Sequence, residues 1–198
     1  MGARLFTAIV PPPALVEELD AFLVPRREAE TRLRWTQPET WHLTTAFMAA
    51  VGDRHLDRLV EGLTSAASRT RPFGLQLGRG GVFGSPDAAR HLWLGVTQGA
   101  SDLASLAVRS RNAAGHAGVR TDGAAFTPHL TLARAHRKVD VRRLLTVLDT
   151  FDAPGWEATE LLLIESHLTD RTNRYEIVER FPFSADTLTR EPAPVEDQ

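Results

Sequence analysis

Two stretches of this chain, RWTQPETWHLTTAF and AAFTPHLTLAR, carry the tripeptide His-Leu-Thr at the head of a β-prone run, and they restrict the fold more than any other feature. The first holds His42, Leu43 and Thr44; the second holds His129, Leu130 and Thr131. Successive side chains of a strand point to opposite faces. His42 and Thr44 therefore share one face while Leu43 anchors the other, and the same holds for His129, Thr131 and Leu130. The two histidines are 87 residues apart in a chain of 198, a little under half its length. That spacing predicts two related lobes, each presenting an imidazole and a hydroxyl.

A third copy, His167-Leu168-Thr169, runs directly into Asp170-Arg171-Thr172-Asn173. Such a turn-rich stretch reads as a hairpin tip, so His167 is expected to be a solvated loop residue and not a cleft residue.

The remaining pattern supports an α+β chain. Arg4–Val10 reads as a strand. Pro11-Pro12-Pro13 then opens a helix with Leu15, Leu19, Phe22 and Leu23 on its apolar stripe. Trp41–Val51 is the first motif strand. Asp53 caps a helix to about Ser68 carrying Leu56, Leu59, Val60 and Leu63 on one face. Phe73–Leu77 is strand-like, Gly78–Gly84 reads as a bend or bulge, and His91–Thr97 is β-prone. Ser101 or Asp102 caps a helix to about Ala117, with Leu103, Leu106 and Val108 inward. Pro128–Ala135 holds the second motif strand and Asp140–Leu148 a short helix. Thr159–Ser166 and Arg174–Phe181 pair as a hairpin across a turn at residues 170–173. The order predicts a bilobal architecture of two pseudo-symmetric antiparallel β-sheets, with helices on the outer faces and a central cleft. Residues 1–189 form one such domain, and the proline-rich, acidic residues 190–198 form a disordered tail.

Composition excludes several chemistries. There is no cysteine, which removes disulfides, thiol nucleophiles and cysteine-bound metals. No apolar stretch is long enough to span a bilayer and no signal-peptide pattern opens the chain, so no membrane partner and a cytoplasmic location are expected. The net charge of −2 argues against a general grip on long nucleic acid. Lys138 is the only lysine, so nearly all positive charge is guanidinium, which suits bidentate phosphate contacts.

With these motifs in place, the chain resembles the 2H phosphoesterase superfamily, and within it the bacterial RNA 2′,3′-cyclic phosphodiesterases, also called 2′-5′ RNA ligases. RLFTAIVPPP is similar to the family's opening strand, and RWTQPETWHLTTAF and FTPHLTLAR to its two His-x-Thr-x motifs. LGRGGVFGSPDAARHLWLGV is similar to its central bend and strand, and ESHLTDRTNRYEIVERFPF to its closing hairpin. Thr45 departs from the pattern, standing at a core-facing position where the family usually has an apolar residue.

The resemblance implies hydrolysis of RNA 2′,3′-cyclic phosphate ends to 2′-phosphomonoesters. It makes His42 the proton donor to the leaving oxygen and His129 the proton acceptor that activates water. No metal is needed, since the proton transfers and hydroxyl donors cover the chemistry, and no cofactor and a monomer are expected. The residues alone fit two proton-transfer groups near pH 6.5 and two hydroxyls on phosphate oxygens, Thr44 and Thr131, but leave acid and base unassigned between near-symmetric motifs. Arg134 alternates with Leu130 and Leu132, away from His129, and reaches the cleft only if the strand bulges near Ala133. Trp41, Phe126 and Tyr175 read as core residues more readily than as base-stacking ones. Three other readings share these residues. A 2′-5′ RNA ligase or small cyclic-nucleotide phosphodiesterase would use the same site. A non-catalytic module would only bind RNA ends. A zinc hydrolase would need clustered ligands, and strict alternation puts His129 and His136 on opposite faces.

Overall fold

From Leu5 onward the first strand lies inside the structure, with Thr7 as the one polar residue of that stretch. A computed structural model describes residues 2–123, 125–168 and 173–184. In it, β1 (Ala3–Ile9) buries Leu5, Phe6, Thr7, Ala8 and Ile9 without alternation. β1 pairs antiparallel with β3 (Leu43–Val51) on one side and with β8 (Glu160–Leu168) on the other, and β9 (Asn173–Pro182) continues the ladder beyond β8. These four strands form one lobe.

The other lobe is built from the middle of the chain. β4 (Phe73–Val82) lies between β7 (Trp156–Ala158) and β5 (Ala89–Gln98), and β6 (His129–Val139) pairs with β5. β2 (Arg34–Trp35) comes from the N-terminal segment but pairs with β6. The two motif strands, β3 and β6, meet through the single pair Leu43–Leu130. The two sheets expected from the sequence are thus joined into one curled sheet of nine strands among the described residues, eight in the order β7-β4-β5-β6-β3-β1-β8-β9 and β2 off this path beside β6.

Among the described residues four α-helices cover the outer surfaces. α1 (Pro13–Ala29) starts on proline, whose missing N–H is no loss in a first turn, and buries Leu15, Leu19 and Leu23 at four-residue spacing. α2 (Asp53–Ser68) packs on α3 (Ala100–His116), which lies against β3, while α4 (Arg142–Leu148) lies against β4. The described residues include no helix long and apolar enough to cross a membrane.

Several local expectations are corrected. α3 is capped by Gly99 at φ +79°, not by Ser101 or Asp102. A Cβ there would approach the Gly74 carbonyl oxygen to 2.1 Å, so only glycine fits. Val108 is 56% exposed and Ala107 and Ser110 take the inward positions instead. The bulge expected in the glycine-rich Gly78–Gly84 is present as a register shift between Gly78 and Gly80, where Arg79 has φ 59°, but β4 runs on past Leu77 to Val82. His167 lies in β8 and not in a loop, 3.8 Å from the Glu165 carboxylate and 3.5 Å from that of Glu176. Most of the turn expected at residues 170–173, and the whole of the expected tail, lie outside the described residues.

Thr45 is buried as expected for a core-facing position. Its hydroxyl is 2.7 Å from that of Thr7 and donates to Ser110 Oγ at 3.5 Å. All three residues are buried, so this chain of hydroxyls removes the cost of a polar group where an apolar one would fit.

Candidate active site

His42 directly precedes β3 and His129 opens β6, so the antiparallel Leu43–Leu130 pair that joins the lobes also brings both imidazoles to that joint. Both leucines are fully buried, which directs the residues flanking them away from the core. His42, Thr44, His129, Thr131 and Arg134 all line one cavity of about 850 Å³.

The two rings are held in the same way. His42 Nδ1–H donates to the Thr40 carbonyl at 2.6 Å, and His129 Nδ1–H donates to the Thr127 carbonyl at 2.7 Å. A carbonyl only accepts, so Nδ1 carries the proton and Nε2 is the nitrogen that gains or loses one. Each ring also stands among aromatics. Phe6 is 4.6 Å and Tyr175 5.4 Å from His42, centroid to centroid. Phe83 is 4.9 Å and Trp93 6.0 Å from His129. These walls lower the local polarity. Burial pulls the His42 pKa from 6.5 to about 4, against the Thr40 carbonyl, with the charges of His129 and Arg134 adding to the drop. His129 is also held below its ordinary value, first by burial, and His91 and Arg134 act in the same direction against the Thr127 carbonyl.

Arg134 reaches the cavity because β6 is irregular. Trp93 pairs with Thr131 and Leu92 with Ala133, so one extra residue, Leu132, is inserted on β6. Leu132 and Ala133 are consecutive and both fully buried, and alternation resumes one residue out of phase. The same slip brings His136 to the cavity with His129, which corrects the expectation that the two face apart. Among the described residues no three His, Asp or Glu side chains gather closely enough to hold a metal ion.

The irregularity is held from the first motif's lead-in. The Thr36 N–H donates to the Leu132 carbonyl at 2.9 Å. The Thr36 hydroxyl lies 2.9 Å from both the Thr131 and Leu132 carbonyls, and accepts from Trp41 Nε1–H at 2.9 Å. Thr36→Val keeps the shape but leaves these partly buried groups unpaired, which is expected to cost roughly 1–2 kcal/mol. Thr36→Ser keeps the hydroxyl and is expected to stay near wild type. Urea unfolding of both variants measures the difference, and equal midpoints would remove the clasp as a stabilising element.

Of the three aromatics weighed from sequence, Trp41 is buried and Phe126 packs against the core, while Tyr175 forms a wall of the cavity. Sequence reasoning did not find Phe6, Phe83, Arg34 or His91. Phe83 lies within the glycine-rich Gly78–Gly84, where a large apolar residue among glycines is the sequence signal, and it is 46% exposed beside His129.

The chain is similar to known proteins in sequence and in fold. Residues 11–170 match the model of the 2′-5′ RNA ligase superfamily. The RNA 2′,3′-cyclic phosphodiesterase of Aquifex aeolicus (strain VF5) is 26% identical over 161 residues, covering 79% of this chain and 86% of that protein. That of Geobacillus stearothermophilus is 30% identical over 154 residues, which is 75% of this chain but 47% of the relative. The crystal structure of E. coli LigT in apo form matches with a TM-score of 0.74 at 26% identity, over 92% of this chain and 98% of that one. On the match over residues 11–170, and with the α+β architecture in agreement, this chain belongs to the 2′-5′ RNA ligase superfamily.

Proposed function

We propose that this protein hydrolyses RNA 2′,3′-cyclic phosphate ends to 2′-phosphomonoesters without a metal, with His42 as proton donor and His129 as proton acceptor. The observation that carries this reading is the matched pair of imidazoles, one from each lobe, both tied through Nδ1 and both lining one cavity. The names of the similar proteins support the substrate.

His129 Nε2 takes a proton from water as its oxygen bonds to phosphorus. The bond from phosphorus to the ribose 3′ oxygen breaks, and that oxygen takes the proton from His42 Nε2–H. The phosphate remains on the 2′ oxygen. In-line displacement places attack and departure on opposite sides of phosphorus, which suits one histidine from each lobe. Thr44 and Thr131 donate to the non-bridging oxygens and Arg134 balances their charge.

The assignment of His42 as the acid rests on the family resemblance. In the free site its pKa of about 4 leaves it neutral at pH 7. The negative charge of a bound phosphodiester favours the protonated ring, so substrate binding takes up the proton that His42 then delivers.

The test is incubation of a 2′,3′-cyclic-phosphate oligonucleotide with the protein in excess EDTA, with ³¹P NMR identifying the product. A 2′-phosphomonoester is expected. Binding without turnover would replace hydrolysis by end capture, loss of activity in EDTA would require a metal, and a 3′-phosphomonoester would reverse the choice of leaving oxygen.

A further inference from the structure

The cavity around the two histidines has an outer part that the hydrolysis does not use. On β2, β6 and β5, two guanidinium groups and an imidazole lie in one cross-strand row: Arg34 is paired with Arg134, and Arg134 with His91. Residues paired in this way project from the same face with Cβ atoms about 5 Å apart, and like charges placed so destabilise a sheet. Arg90, next to His91, and His136, two residues beyond Arg134, line the same cavity. Among the described residues no Asp or Glu lines this cavity, and Arg34, Arg90 and Arg134 form no salt bridge. The field is felt at His91, whose pKa is lowered first by burial and then by Arg134 and Arg90. Some arginines elsewhere have carboxylate partners, among them Arg27 with Asp20, Arg142 with Asp140 and Arg180 with Glu160. A row that repels itself in a protein of net charge −2 has its natural complement in an anion from outside.

The inner phosphate already has its donors. On β6, Arg134 is five residues beyond His129, roughly 16 Å of extended chain before the irregularity shortens it. We propose that Arg34, Arg134 and His91 form an outer subsite for a second phosphate group of the substrate, one nucleoside away from the cyclic phosphate. This rests on the reading of the inner site given above. The second phosphate is either the phosphodiester linking the terminal nucleoside to the rest of an RNA or a 5′-phosphate on a single nucleotide. Arg134 stands at the boundary of the two subsites, so Arg34 and His91 are the residues that test the outer one.

The experiment measures binding by thermal shift, at fixed ionic strength, of adenosine 2′-monophosphate, adenosine 2′,5′-bisphosphate and the dinucleotide ApA carrying a 2′-phosphate. Wild-type protein is expected to bind at least one of the two larger ligands about tenfold more tightly than the monophosphate. The ligand that gains identifies the source of the second phosphate. In Arg34→Gln/His91→Gln the gain is expected to fall below threefold. Without ligand that variant is expected to melt no lower than wild type, since a self-repelling row has been relieved. Equal affinity of wild type for all three ligands, or an undiminished gain in the double variant, would overturn the outer subsite. Turnover of a cyclic mononucleotide, which has only the one phosphate, reports on the inner site separately, so failure there leaves the binding result decisive for the outer one.

Discussion

Replacing either His42 or His129 by alanine is expected to lower turnover of a 2′,3′-cyclic-phosphate end by roughly 10²–10⁴-fold, the usual contribution of one positioned acid or base. Each ring is fixed through Nδ1 to a backbone carbonyl two residues before it, so neither can swing into the other's place. Because the two act on one displacement, the double variant is expected to lose far less than the product of the single losses. The roles separate with a substrate whose bridging 3′ oxygen is replaced by sulfur, which departs without a proton. His42→Ala is expected to recover most of its loss on that substrate, and His129→Ala none. Recovery by the wrong variant would exchange donor and acceptor. Near wild-type hydrolysis of the natural substrate by either single variant would remove the histidine pair from the mechanism.

Acid is expected to weaken the fold through the same residue. The His42 pKa lies at about 4 in the folded protein against 6.5 for a free imidazole. Between those values the unfolded chain binds a proton that the folded chain does not. Stability contributed by the neutral ring is therefore fully present above about pH 6.5 and is lost as pH falls to about 4. The loss over that window is on the order of 3 kcal/mol. His129, lowered in the same direction, adds to it. Carboxylates also titrate there, so the informative quantity is the difference between wild type and His42→Gln in urea unfolding at pH 7 and pH 4. Wild type is expected to lose about 3 kcal/mol more. Inorganic phosphate at the site favours the charged ring and is expected to shrink the difference. Equal losses in the two proteins would mean that the ring is not buried as described.

The inward face of the site was legible because period-two alternation needs only local sequence. His42 with Thr44, and His129 with Thr131, follow from it, and the fully buried Leu43 and Leu130 show why. Arg134 was legible only as a condition. The inserted Leu132 that turns it toward the cavity is held by Thr36, 96 residues earlier, and no local pattern carries a contact of that range. The same holds for the cationic row, since Arg34 and His91 become neighbours of Arg134 only through strand pairing. Val108 was placed inward because it is apolar, but small Ala107 and Ser110 fit the close approach of α3 to β3 better. The cap of α3 depends on a left-handed glycine where two side-chain caps were available nearby. His167 carries the same tripeptide as the motif histidines, yet its strand pairs with β1 and β9, away from the joint between the lobes.

The first strand of the chain waits for the last hairpin. β1 needs β8 along its outer edge, and β8 follows it by some 150 residues, whereas β4, β5 and β6 are complete much earlier. On the ribosome β4, β5 and β6 are therefore available to pair while an edge of β1 still lacks its neighbour, the kind of edge on which stray chains pair. A nascent chain stopped before Glu160 holds both motif histidines but neither the strand that shields β1 nor Tyr175, which stands over His42. Interrupted synthesis thus yields a species prone to clumping, and the working enzyme exists only once translation has passed the closing hairpin.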